Sequence, residues 1–96
     1  MIESFRHKGL RLLFESGERK FLNPQHVEKI ENILGVLHAA GDIKGVNVPG
    51  YRLHALSGGL KGLWSVTVRA NWRIVFRFEG GKAFDVDLVD YHLSDR

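Results

Sequence analysis

GLWSVTVRANWRIVFRF, residues 62–78, alternates apolar and polar side chains twice, on either side of a short polar break. Trp64, Val66 and Val68 alternate with Ser65, Thr67 and Arg69; Trp72, Ile74, Phe76 and Phe78 alternate with Arg73, Val75 and Arg77. Period-two alternation marks a strand with one buried face. Residues paired across a hairpin share a face, so the two apolar sets must be partners. Pairing Val68 with Trp72, Val66 with Ile74 and Trp64 with Phe76 leaves Arg69-Ala70-Asn71 as a three-residue connection. A two-residue turn carries Arg73 and Arg77 to the buried face and is rejected. In the accepted register Arg73 stands opposite Thr67 on the outer, polar face.

Outward from this hairpin the pattern continues. Gly80-Gly81 makes the next tight turn, and residues 83–89 form a last strand with Phe84, Val86 and Leu88 on one face. Upstream, residues 51–56 (YRLHAL) read as a strand with Tyr51, Leu53 and Ala55 inward and Arg52 and His54 outward. Residues 41–50 hold three glycines and a proline and read as a loop.

Before the loop the period changes to that of helices. Asn23 can cap a helix that starts at Pro24, carries Val27, Ile30, Leu34 and Leu37 as one apolar stripe, and ends at Gly41. Residues 8–16 carry Leu10, Leu13 and Phe14 at helical spacing, with Gly17 as the stop. Residues 2–5 (IESF) suit a short edge strand. Two helices followed by a run of strands predict an α+β fold, with the two N-terminal helices packed on one face of a small, mainly antiparallel sheet. The opposite face is left for function.

The 96 residues suffice for a single domain over 1–96, with 44% hydrophobic and 26% charged residues in an ordinary globular balance. Cysteine is absent, which excludes disulfides, thiolate metal sites and a cysteine nucleophile. The N-terminus does not read as a signal peptide, and no apolar run approaches the ~20 residues of a membrane span. A cytoplasmic protein without a membrane partner is expected. From Lys44 to Phe78 six basic residues (Lys44, Arg52, Lys61, Arg69, Arg73 and Arg77) occur without one Asp or Glu. Charge of one sign segregated in this way suits either a polyanion binder or a solvated sheet face.

His54 on its strand and Asp90-Tyr91-His92 at the end of the last strand are the residues with chemistry to offer. A lone strand histidine is usually a surface residue, and three polar residues in a row often close a chain. Together with the arginines they form the set that RNA cleavage by the ribose 2′-OH requires. A base takes the hydroxyl proton, cations stabilise the phosphorane, and an acid protonates the departing 5′-oxygen. Imidazole side chains serve either proton role because their ordinary titration lies near neutrality, at about 6.5. Arginine adds a planar double donor for phosphate oxygens. No metal and no other cofactor is required.

Other chemistries are thin. His7, His26 and His38 lie on the helices without metal-binding spacing and are expected to face solvent. Asp85 and Asp87 share an ordinary outer strand face, and Gly58-Gly59 lacks the Gly-Lys-Ser/Thr of a phosphate loop. Trp64 and Trp72 belong to the apolar alternation and are expected in the core.

The block GLWSVTVRANWRIVFRF, the upstream YRLHAL, the terminal DYH and the opening IESFRHKGLRLLFE resemble the HigB branch of the RelE-like toxins. The likeness covers nearly the whole chain. It implies a RelE-like fold and ribosome-dependent cleavage of mRNA in the decoding (A) site. It also implies a cognate helix-turn-helix antitoxin, with operator DNA reached only through the toxin–antitoxin complex. On this pattern His54 and His92 resemble the acid–base residues, Asp90 a supporting group and Tyr91 the residue that positions the scissile nucleotide. Arg73 resembles the phosphate-holding arginine, with Arg52, Lys61, Arg69 and Arg77 as further RNA contacts. Some relatives carry a lysine shortly after the strand histidine, where this chain has Ser57; either Lys61 or Arg52 supplies that charge or the activity is weaker. Two alternatives remain: a non-catalytic DNA gyrase inhibitor, like the ParE toxins that share the fold, or a decayed toxin that persists as an antitoxin-binding corepressor.

Overall fold

The computed structural model describes residues 1–91. Helices α1 (Lys8–Ser16) and α2 (Pro24–Ala39) come first, then strands β1 (His54–Ala55), β2 (Leu63–Arg69), β3 (Trp72–Glu79) and β4 (Lys82–Asp90). The strands form an antiparallel sheet in the order β1-β2-β3-β4. The α+β architecture read from the pattern is the observed one.

Both helices start on a side-chain cap. The Nδ1 of His7 accepts from the Leu10 amide at 3.2 Å, and Oδ1 of Asn23 accepts from the Gln25 amide at 2.9 Å. Each cap satisfies an amide that has no partner inside its helix. Gly17 closes α1 in the left-handed conformation, φ 74°. The second helix stops one residue earlier than expected, on Ala40 rather than Gly41. A short 3₁₀ turn at Ile43–Val46 follows, where an open loop was expected.

The inner face of the sheet packs on the helices. Val66, Ile74, Phe76 and Val86 meet Leu10, Ile30, Ile33, Leu34 and Leu37, all buried. Each such side chain contributes about 1.5–3 kcal/mol by leaving water. His26 departs from expectation: it is buried on α2, its ring 6.2 Å from that of Trp72.

Two bulges correct the expected registers. Trp64 pairs with Phe76, Val66 with Ile74 and Thr67 with Arg73, as parity demands. Val68, however, is an extra residue: Arg69 rather than Val68 pairs with Trp72, so the turn is Ala70-Asn71. An inserted residue restores the face parity that a two-residue turn alone would break. In β4, Asp85 (φ 55°) is the counterpart. Val75 pairs with Asp87 and Arg77 with Phe84, leaving Asp85 and Val86 opposite Phe76. Phe84 therefore joins Arg77 on the outer face, and Ala83 takes its expected place inside.

Two further expectations change. YRLHAL is a strand only at His54–Ala55, because Gly50 (φ 89°) and Arg52 (φ 54°) bend the chain before it. Ala55 is exposed and Leu56 is buried instead. Residues 2–5 make isolated parallel bridges to β4, Ile2 with Ala83 and Phe5 with Val86, instead of a strand. Among the described residues no helix is long and apolar enough to cross a membrane.

Candidate active site

The outer face of the sheet, away from the helices, carries a cleft of about 390 Å³ at the end nearest the Ala70-Asn71 turn. β1 supplies His54, whose partner across the ladder is Ser65 of β2. Arg52 and Leu53 lead into it, and two backbone bonds hold this segment to β2. The Thr67 amide donates to the Tyr51 carbonyl at 2.7 Å, and the Leu56 amide to the Leu63 carbonyl at 2.9 Å. Tyr51 is buried under the Lys29 ammonium, 5.3 Å from its ring centroid, and burial pushes its phenol above the ordinary 10.0.

The far wall is built by β3 and the end of β4. Arg73 lies opposite Thr67 on one side and Val89 on the other. Its Nη1 donates to the Ala70 carbonyl at 2.9 Å, and its guanidinium carbon sits 5.5 Å from the centroid of Tyr91. The Tyr91 amide donates to the Asn71 carbonyl at 2.8 Å, which ties the residue after β4 to the hairpin turn. The described lining thus holds two guanidiniums, an imidazole, a phenol, an amide and two hydroxyls, with no carboxylate. Such a surface attracts phosphate and offers donors to it.

Of the expected site residues, Arg52, His54, Arg73 and Tyr91 are brought together here. His92 lies outside the described residues. Asp90 stands opposite Trp72, in the register of the inner face, and does not line the cleft. Arg77 lies further along the outer face, 4.3 Å over the Phe84 ring and ion-paired with Glu79 at 3.3 Å and Asp85 at 3.9 Å. Lys61 is exposed between β1 and β2. Arg69 points elsewhere: the bulge at Val68 turns it to the helix side, where Nη1 donates to Oε1 of Gln25 at 3.3 Å.

Sequence reasoning passed over Ser65, Thr67 and Asn71 as cleft residues. Thr67 could have been found from the register, which already set it beside Arg73. Asn71 was counted only as turn chemistry. Among the described residues no group of three or more His, Cys, Asp or Glu side chains is placed to hold a metal.

A family model described as the RelE-like toxin of type II toxin–antitoxin system HigB matches residues 3–92. The chain belongs to this toxin family. The toxin is 47% identical over 92 residues to the Endoribonuclease HigB of Proteus vulgaris, a match spanning 96% of this chain and 100% of that one. It is 32% identical over 93 residues to Toxin HigB-1 of Vibrio cholerae serotype O1, spanning 92% and 95% of the two chains. In three dimensions the toxin is similar to a histidine-to-glutamine mutant of YafQ from E. coli, with TM-score 0.65 and 16% identity over 98% of this chain and 94% of that one. YafQ from E. coli strain BL21(DE3) gives 0.56 at 14% identity, again over 98% and 94%. These two likenesses are of fold. Membership of a type II system gives the toxin an antitoxin as its partner.

Proposed function

We propose that the toxin is an endoribonuclease that cuts mRNA in the decoding (A) site of the ribosome, by proton transfer and without a metal. The observation that carries this reading is the convergence of His54, Arg52, Arg73 and Tyr91 on one cleft whose described lining holds no carboxylate. The nuclease activity named for the relative from Proteus vulgaris supports it.

In this mechanism His54 takes the proton of the ribose 2′-OH, whose oxygen attacks the neighbouring phosphorus. Arg73 stabilises the phosphorane, its guanidinium already held by the Ala70 carbonyl and the Tyr91 ring. The bond to the 5′-oxygen breaks as His92 donates a proton, leaving a 2′,3′-cyclic phosphate and a free 5′-hydroxyl. Tyr91 stacks beside the scissile nucleotide. Asp90 is a positioning residue that holds the chain end bearing Tyr91 and His92. Arg52 and Lys61 meet flanking phosphates, and the antitoxin complex, not the free toxin, reaches operator DNA.

Primer extension on a defined mRNA, with and without translating ribosomes, tests the reading. Cuts inside codons only when ribosomes are present are the expected result. Absence of cuts in both conditions, from a folded chain that still arrests growth, overturns it and turns attention to gyrase.

A further inference from the structure

The helix side of the molecule carries a second surface, separated from the cleft by the thickness of the sheet. Phe21, in the connection between α1 and α2, is 51% exposed, and Trp72, at the edge of the core, is 36% exposed. Between them lies a depression of about 160 Å³, floored by Leu22, His26 and Leu88. On the far side of Leu22 a groove of about 410 Å³ continues along Pro24 and Val27, with Arg19 and Lys20 among its walls.

The charges around this apolar strip are unbalanced. The ammonium groups of Lys8 and Lys20 lie 5.6 Å and 5.2 Å from the Phe21 ring centroid. Arg69, turned to this side by the bulge, lies beside Gln25. Two carboxylates stand near this strip. Glu18 accepts from the Lys20 amide at 3.3 Å, and Asp90, engaged in an interaction of its own, stands opposite Trp72. Exposed aromatic rings flanked by cations make poor contact with water and good anchors for a partner that brings apolar side chains and negative charge.

We propose that this surface docks an acidic segment of the antitoxin, whose apolar side chains enter the depression between Phe21 and Trp72 while its carboxylates meet Lys8, Arg19 and Lys20. The partner follows from the family and not from the cleavage reading. Trp72 and Arg73 are neighbours on one strand and so point to opposite faces. The docking surface and the cleft are therefore separate targets for mutation.

The experiment pairs the toxin with its co-purified antitoxin and compares Phe21→Ser and Lys20→Glu with the parent chain. Both positions are exposed, so the variants fold, which a thermal melt verifies. The expected result is a loss of antitoxin affinity of about tenfold or more for each. The parent complex should also weaken with rising salt, and growth arrest by the variants should no longer be relieved by co-expressed antitoxin. Unchanged affinity in both variants overturns the proposal. So does loss of ribosome binding with antitoxin affinity intact, which assigns the basic strip to RNA.

Discussion

Arg73 and Tyr91 hold each other at the mouth of the cleft: the guanidinium carbon is 5.5 Å from the ring centroid, and both residues are tied to the Ala70-Asn71 turn by hydrogen bonds. The contact is between a cation and a ring face, so the ring and not the hydroxyl makes it. Tyr91→Phe should therefore keep most of the RNA-cleaving activity and Tyr91→Ala should lose it. Arg73→Ala should lower the rate by about 10²–10³, the usual cost of removing one preorganised donor to a developing oxyanion. Single-turnover cleavage on ribosome complexes measures all three; equal activity of Tyr91→Ala and the parent chain refutes the assignment.

His54→Ala should lower cleavage by about 10²–10⁴ without unfolding the chain, because His54 is exposed and only its backbone holds the ladder. His92→Gln should fall in the same range. The readout is growth arrest alongside antitoxin binding, which both variants should retain. Full toxicity in both sinks the acid–base scheme.

Tyr51 makes a prediction about alkali. Burial raises its phenol above 10.0, so the folded chain binds that proton more tightly than the unfolded chain. Its contribution is fully present below pH 10 and is lost as pH climbs from there through the folded value. Urea melts from about pH 9 to about pH 11.5 should show stability declining over the upper part of that range, and Tyr51→Phe should flatten the decline. Lys29 lies over the ring, so Lys29→Met is the matched control. An unchanged slope in Tyr51→Phe would refute the assignment to the phenol.

Ala70 sits at φ 52°, a conformation that costs an L-residue about 1–2 kcal/mol. Glycine relieves that cost while losing about 0.5–1 kcal/mol to its freer unfolded chain. Ala70→Gly should raise stability by up to about 1 kcal/mol, and Ala70→Val should lower it. The urea midpoint at constant slope is the measure; a destabilised glycine variant would contradict the strained turn.

Most of the fold was legible because alternation and helical spacing are local properties. The pairs Trp64–Phe76 and Val66–Ile74 came from parity alone. Parity, however, constrains turn and bulge together, so a two-residue turn with an extra Val68 looks the same as a three-residue turn without one. The β1 segment misled for a different reason: its apolar and polar residues alternate, but Gly50 and Arg52 take positive φ, which side-chain pattern does not reveal. The cleft was readable where the chemistry named its residues, as with His54 and Arg73. Arg69 was grouped with them because counting charge along a chain carries no direction. His26 and Trp72 were misjudged as solvent and core because the start of α2 and the start of β3 meet only in three dimensions.

The extra residues at Val68 and Asp85 lie on either side of β3, which runs without one. They act as phase shifts, and their consequence concerns length more than identity. Removing either residue would leave the ladder on both sides of it in register and take away the local bend and added twist that an extra residue gives a strand. Without Val68, Arg69 would still face Trp72 and Thr67 would still face Arg73; without Asp85, Phe84 would still face Arg77 and Asp87 would still face Val75. Relatives aligned to this chain should therefore tolerate gaps at these two positions more readily than gaps at their paired neighbours in β2 and β4. A scaffold borrowing His54 and Arg73 needs the pairs His54–Ser65 and Thr67–Arg73 to present them on one face, and neither offset lies between those pairs.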